Sequence, residues 1–564
     1  MNNQDLTNLL FDSKIKPIQY WFDKYPARDL PSTAEITRLC PSPTGFLHLG
    51  ALYMGVINRR IANDSGGVFY IRIEDTDTDR EVAGARALIV KGLGEFGIKF
   101  DEGFLDGENQ FGAYAPYLQT QRGDIYASFA RELVLRGRAY PCFMSKEELE
   151  AQRTEQESQK VRPGYYGKYA IWRDASIEKI QEKLKSNIPY VLRFKSMGDQ
   201  NVKRAFSDEF LGNIQVPQND EDFVLLKTNG IPTYHLAHIV DDYLMRTTFV
   251  IRGTEWLSSV GKHLELWESL DFPIPKYGHL SPINKKEGST VRKLSKRKDP
   301  EANIMRYVEL GYPTDALIGY LYRLANPSFD VWWQSQRHAS VWDFPFQLNE
   351  LQKGGPGPLI DLKKLDDISS DIIAMMPAEE VADRMIKWAT AYDSGFADLI
   401  SNERPYFEKI LAIERDHENP RKDIINWSIG RDSIVYFFDS LFDSNKATQA
   451  IIDSKLDEVF SEISKELIDA ISADKFYTAD SLDSWLIEIK VLADQLGFAI
   501  DKNKFKEDPS KFKGDFADFM KLIRLAITST NRTPNLFYVL KVMGKDRVLN
   551  RIRSLYTNLP TKNT

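Results

Sequence analysis

The chain has 564 residues, of which 42 % are apolar and 27 % charged, with a formal net charge of −7. This is a globular balance, and at about 150 residues per domain the length predicts three or four domains. No window approaches the roughly 18 consecutive apolar residues of a membrane helix. Asp5, Asp12, Asp23 and Asp29 stand where a signal or transit peptide would be basic and then apolar. Two cysteines, Cys40 and Cys142, without a CxxC pair exclude a disulfide framework and a cysteine zinc site. A reducing cytoplasm is the expected compartment.

After a polar N-terminal stretch, residues 35–40 read as a strand and 41–45 (PSPTG) as a turn. His48-Leu49-Gly50 opens a helix whose apolar positions recur at helical spacing to residue 63, with a stop at Gly66-Gly67. Residues 68–73 (VFYIRI) form the near-continuous apolar run of a strand buried on both faces, ending in Glu74-Asp75-Thr76-Asp77. Strand, helix, strand at this length predicts a βαβ unit and a parallel sheet. Residues 120–225, with a charged helix at 146–159 and a short apolar run at 190–194, read as an α+β insertion. The sheet pattern resumes at 232–242. It continues in a strand over 247–251 that ends at Arg252, and Gly253-Thr254-Glu255-Trp256 opens a helix. A basic loop follows at 285–298. Beyond a Gly/Pro breaker at 353–358 the pattern is helical to the end.

The net charge speaks against a nucleic-acid partner, but its distribution does not. Lys285, Lys286, Arg292, Lys293, Lys296, Arg297 and Lys298 face only Glu287 within their segment, a local surplus suited to polyphosphate or a nucleic-acid backbone. A solvated loop is the plain alternative. His48 sits where a strand and a Gly/Pro turn lead into a helix, and backbone N–H groups there favour phosphate. Arg38, Glu74, Asp77 and Arg252 fall at the carboxyl ends of predicted strands, where open parallel sheets bind ligands. Two arginines and a glutamate suit a small zwitterion with an extra carboxylate. The alternative is that these charges pair with one another at the sheet rim. No Ser, Cys or His shows a nucleophile–base pattern, so a reaction run by positioning and charge, such as attack on the α-phosphorus of ATP, fits better.

These segments resemble, in order, the signature blocks of class I glutamyl-tRNA synthetases. Residues 38–50 (RLCPSPTGFLHLG) resemble the HIGH-type block, 72–77 (RIEDTD) the next, 232–237 and 250–257 the third and fourth. Residues 293–297 (KLSKR) resemble the KMSKS-type loop, and 535–549 the closing helices. The resemblance implies an α/β Rossmann-type catalytic domain with an α+β insertion, followed by an all-α anticodon-binding region. The expected parts are an extension at 1–33, a first catalytic half at 34–119, and a tRNA-acceptor insertion at 120–225. A second catalytic half at 226–284, a stem-contact region at 285–352 and a helical anticodon region at 353–564 complete the set.

The resemblance also implies a site. Arg38 and Arg252 would hold glutamate's two carboxylates, Arg38 the side-chain one; Glu74 would hold the ammonium, with Ser42, Tyr234 and His238 beside the substrate. Ser42, His48, Gly50, Glu255, Trp256, Lys293, Leu294 and Lys296 would line the ATP site, with His48, Lys293 and Lys296 catalytic. Lys285, Lys286, Arg297, Lys298 and Arg551 are candidates for tRNA contact. Several positions depart from the pattern: Ala51 where the HIGH element ends in histidine, Leu294 and Arg297 for Met and Ser of the lysine loop, and His238 where asparagine is frequent. The implied substrates are L-glutamate, Mg·ATP and tRNA(Glu), with no resident metal, no structural zinc and no membrane partner, in a monomer. Three other readings stand beside this one: a glutaminyl-tRNA synthetase, a catalytically silent tRNA-binding paralogue, and a small-molecule nucleotidylyltransferase. Ser42, Thr44 and Asp77 favour the glutamyl type over the first; intact Arg38, His48, Arg252 and Lys296 count against the second. The long helical C-terminal half has no purpose in the third.

Overall fold

In the computed structural model, residues 3–77, 80–351, 357–473 and 479–558 are described. The chain divides into two compact units, Met1–Tyr307 with Leu317–Asp361, and Val308–Ala316 with Leu362–Thr564. Most of the predicted breaker at 353–358 lies outside the described residues.

The first unit opens with two short helices, α1 (Asn3–Leu10) and α2 (Ile18–Lys24). The N-terminal stretch, polar in sequence, is anchored. Leu6, Trp21 and Tyr25 are buried, Trp21 Nε1 donates to Ser128 Oγ at 2.8 Å, and Arg28 forms a two-pronged pair with Glu102 at 2.7 and 2.9 Å.

Strand β1 (Ile36–Leu39), helix α3 (Leu49–Asp64) and strand β2 (Val68–Ile71) build the expected βαβ unit, with Arg38 opposite Tyr70 in parallel register. Helix α4 (Ala85–Glu95) leads to β3 (Glu102–Asp106), parallel to β2, and β4 (Asn109–Phe111) returns antiparallel. Helix α5 (Gly123–Leu135) precedes the inserted region. There β5 (Ala139–Cys142), α6 (Lys146–Ser158), α7 (Ile177–Lys185) and β6 (Val191–Phe194) are followed by the hairpin β7 (Lys203–Asp208)–β8 (Gly212–Pro217) and by β9 (Val224–Leu226). A Ser145/Glu148 capping box starts α6, as a charged helix with Ser at its N-cap should.

Helix α8 (Tyr234–Leu244) returns the chain to the main sheet, where β10 (Phe249–Gly253), α9 (Val260–Ser269) and β11 (Lys276–Leu280) follow. β10 and β11 pair in parallel with Arg252 opposite His279. β10 runs beside β1, where Thr248 N–H donates to Ile36 O at 3.1 Å. From β1 the chain winds one way to β2 and β3, and β10 and β11 extend the other way. Such a reversal of strand order opens a crevice at the carboxyl ends, here between β1 and β10.

The predicted basic loop is largely a hairpin, β12 (Asn284–Glu287) and β13 (Thr290–Lys293), with Lys285 opposite Arg292. Gly288, at a φ of 62°, turns the chain between the two strands. The second unit is helical from Leu362–Met375 to Lys545–Asn558, around a core that includes Phe407, Phe460, Leu522 and Ile552.

Candidate active site

A cavity of about 480 Å³ opens at the crevice. Its walls come from the turn after β1, the start of α3, the ends of β10 and β11, and the turn after β13. Of the residues expected around ATP, Ser42, His48, Gly50, Glu255, Lys293, Leu294 and Lys296 all line it, and Leu280–Ile283 and Tyr53 were not foreseen. Trp256 is the exception. Its ring packs on Tyr234, with centroids 4.1 Å apart.

His48 is the N-cap of α3, and its Nδ1 accepts from Gly50 N–H at 2.9 Å. A Cβ on Gly50 would stand 3.1 Å from that nitrogen, a tight contact that glycine avoids. With Nδ1 accepting, the neutral ring carries its proton on Nε2. Burial, then Lys296 and Lys293, lower the His48 pKa to about 4, so the ring is a neutral donor at physiological pH. Lys296 stands at the mouth of the cavity over the Phe46 ring, 5.8 Å from its centroid, and desolvation lowers its ammonium pKa. Lys293 pairs with Glu255 at 2.9 Å.

Behind the cavity lies a buried polar cluster. Tyr234, His238 and Asp242 recur at four-residue spacing on one face of α8. Asp242 receives Arg38 Nη2 at 3.1 Å, Arg72 Nη1 at 2.7 Å and His238 Nδ1 at 2.7 Å. Burial alone would raise its pKa, but Arg38 and Arg72 outweigh that and hold it well below the carboxylate range. Glu74 is pushed up to about 7 by burial, against the opposing pull of Arg72 and Arg38.

Arg252 is 5 % exposed and differs from Arg38. Its Nε donates to His279 Nε2 at 3.0 Å and its Nη1 lies 2.9 Å from His263 Nδ1. Among the described residues its buried Nη2 has no partner. His263 is held well below the ordinary imidazole pKa by burial and then by Arg252; His279 is lowered by burial. The positive charge of Arg252 therefore touches neutral rings only, whereas Arg38 already faces a carboxylate.

Several expectations are corrected. His238 is fully buried, with Nδ1 2.7 Å from an Asp242 carboxylate oxygen and Nε2 3.0 Å from Tyr277 Oη, so it is turned into the fold rather than toward substrate. Asp77 is engaged in an ion pair with Arg80. The basic hairpin is partly neutralised by acids outside its sequence window: Lys285 pairs with Glu301 and Asp299, and Arg292 with Asp299 as well as with Glu287 inside the window. Lys286, Lys296, Arg297 and Lys298 are exposed and enter no ion pair among the described residues. Arg551 is 4 % exposed and donates to the Tyr436 and Ile527 carbonyls and to Asp439 at 2.6 Å. It braces a helix and is unavailable to an RNA.

Fold and site together define an α/β enzyme with a nucleotide-sized cleft at the switch point of a parallel sheet and a buried cluster of arginines, histidines and carboxylates beside it. A family described as tRNA synthetases class I (E and Q), catalytic domain, matches residues 36–330, and an anticodon binding domain matches 502–556. The chain is 42 % identical over 552 residues to a glutamate–tRNA ligase of Clostridium perfringens, covering 98 % of this chain and all of that one. It is 39 % identical to one from Sorangium cellulosum, over 94 % and 96 % of the two chains. The crystal structure of a glutamate tRNA ligase from Elizabethkingia meningosepticum, in complex with its amino acid, superposes with a TM-score of 0.71 at 25 % identity. That match covers 94 % of this chain and all of the other. The chain belongs to the class I tRNA synthetases of the E and Q family. The match covers 98 % of the chain, so it takes in most of residues 1–33 as well.

Proposed function

We propose that the protein is a glutamate–tRNA ligase that activates L-glutamate with Mg·ATP and transfers the glutamyl group to the terminal adenosine of tRNA(Glu). The observation that carries the amino-acid half is the unpartnered Nη2 of buried Arg252 beside the nucleotide-sized cavity. A buried guanidinium with neutral neighbours calls for an anion, and a carboxylate matches its fork. Arg252 then separates carboxylate from amide, reversing the assignment the resemblance implied, because Asp242 already offsets Arg38. Tyr234 lies within electrostatic reach of Arg252, Glu74 and Arg38, and ionised Glu74 takes the ammonium. Ser42 spans the boundary between the two substrates.

In the first step an α-carboxylate oxygen of glutamate bonds to the α-phosphorus and the bond to pyrophosphate breaks. The Lys296 ammonium offers hydrogen bonds and charge to the phosphate oxygens as negative charge shifts toward the leaving group, with the neutral His48 ring beside them at the start of α3. Lys293, with Glu255, shapes the adjoining wall. No side chain forms a covalent intermediate. In the second step a ribose hydroxyl of tRNA attacks the activated carbonyl and AMP leaves. Lys286, Arg297 and Lys298 are the candidates for contact with tRNA, and the protein works in the cytoplasm as a monomer. Formation of glutamyl-tRNA from purified tRNA(Glu), ATP and glutamate tests the reading; a glutamine product instead, or none, would overturn it.

A further inference from the structure

Arg252 sits in the middle of a relay that joins five elements, from α8 to the inserted hairpin. Asp208 closes β7 and is 2 % exposed. Its Oδ2 lies 2.5 Å from His279 Nδ1, and His279 Nε2 accepts from Arg252 Nε at 3.0 Å. On the other side, His263 Nδ1 faces Arg252 Nη1 at 2.9 Å and its Nε2 faces His235 Nδ1 at 2.9 Å. The hydrogen-bond directions admit one solution. Arginine has no acceptor, so His279 must present a bare Nε2 and His263 a bare Nδ1. His279 therefore carries its proton on Nδ1, where the Asp208 carboxylate receives it. Contacts on both sides hold the hairpin against β11. Glu209 N–H donates to Tyr277 O at 2.8 Å, and Phe206 packs against the Tyr277 and His279 rings.

We propose that Asp208 and His279 are positioning residues for Arg252: the inserted hairpin fixes the His279 tautomer, which aims the guanidinium at the amino-acid carboxylate. This rests on the proposed function only in naming the ligand of Arg252. Oδ1 of Asp208 accepts from the backbone N–H groups of Phe210 and Leu211 at 3.0 and 2.9 Å; Oδ2 faces the His279 ring, and the His279 backbone N–H lies 3.2 and 3.1 Å from Oδ1 and Oδ2. Asp208→Asn can keep its oxygen on the loop and turn its amide toward His279 Nδ1. An N–H donor there forces the imidazole proton to Nε2, directly against the Arg252 N–H. The loop survives and the arginine is displaced.

The test combines kinetics with a spectroscopic signature. In aminoacylation with tRNA(Glu), Asp208→Asn should raise the glutamate KM at least about tenfold, the cost of an unpaired buried donor, with the KM for ATP unchanged and kcat nearly so. A purely structural role would move all three together. With only seven histidines in the chain, nitrogen-15 NMR of the histidine-labelled enzyme, with signals assigned through His279→Gln, reads the tautomer directly. The wild type should show His279 protonated on Nδ1 and Asp208→Asn should show it on Nε2. A wild-type proton on Nε2, or an unchanged glutamate KM in folded Asp208→Asn, overturns the relay. If that variant fails to fold, the wild-type spectrum decides alone. Failure of the wild type to charge tRNA with glutamate would count against the proposed activity and leave the tautomer result standing.

Discussion

Arg252→Ala and Arg38→Ala should fail in different ways, although both remove a buried guanidinium from the same cluster. Arg252 touches the neutral rings of His263 and His279 and has a free Nη2, so no carboxylate of the protein is stranded when it is removed. What is lost is its grip on substrate. Truncating one partner of a desolvated, hydrogen-bonded charge pair costs about 2–5 kcal/mol. At about 1.4 kcal/mol per factor of ten, the glutamate KM should rise between about thirtyfold and several thousandfold. Glutamine, whose amide forms only a neutral hydrogen bond there, should lose about tenfold or less, so the preference for glutamate collapses. Arg38→Ala instead deprives Asp242 of one of two guanidinium partners at full burial. Breaking a buried pair costs about 3–5 kcal/mol, and because Arg72 remains at 2.7 Å the lower end, about 3 kcal/mol, is expected in stability. Initial rates with glutamate and glutamine, alongside denaturant unfolding of each variant, separate the two. An Arg252→Ala enzyme that keeps its glutamate preference, or an Arg38→Ala protein as stable as wild type, would refute this division of roles.

Three further outcomes follow from the same geometry. Lys296→Ala should lower the rate of adenylate formation about 10²- to 10³-fold while glutamate affinity holds, since it removes a donor aimed at developing charge; single-turnover kinetics would show an equal loss in binding if the loop were merely surface. Glu74, with its pKa near 7, must be ionised to hold the ammonium, so kcat/KM for glutamate should rise as pH increases through about 7. His48, near 4, should add no inflection between pH 5.5 and 8, and a flat profile in Glu74→Gln beside a rising wild type would check the assignment. tRNA affinity should fall steeply with salt, and Lys298→Ala should flatten the slope by about one unit of log K per log salt. Arg551→Lys should leave the slope alone and cost stability.

Much of the cleft is legible in the sequence because its parts are local. The strand–turn–helix of 35–63 carries Arg38, Ser42, His48 and Gly50 within thirteen residues, and its periodicity places them at one end of a sheet. What escapes is what the fold brings together from afar. Asp208, His235, His263 and His279 are separated by up to 71 residues and share no spacing rule, so nothing in the string ties them to Arg252. The same blindness exaggerates the basic hairpin, whose compensating acids Glu255, Asp299 and Glu301 lie outside the window. It also turns Arg551 outward, although that position falls on the apolar face of its helix beside buried Ile552, Val548 and Leu555. The substrate-facing expectation for His238 fails for a related reason. The sheet pattern read over 232–242 hides that this stretch is helix α8, which carries His238 inward to within 2.7 Å of Asp242 and 3.0 Å of Tyr277.

The central claim is that this chain attaches glutamate to tRNA(Glu). The most direct measurement is aminoacylation of purified tRNA(Glu) by the wild-type protein with ATP and labelled glutamate or glutamine in parallel, with the acylated 3′-adenosine identified after nuclease digestion. Glutamyl-adenosine from the glutamate reaction, with glutamine rejected by orders of magnitude, is the expected result. Glutaminyl-adenosine as the main product, or no acylated adenosine with either amino acid, would contradict the account.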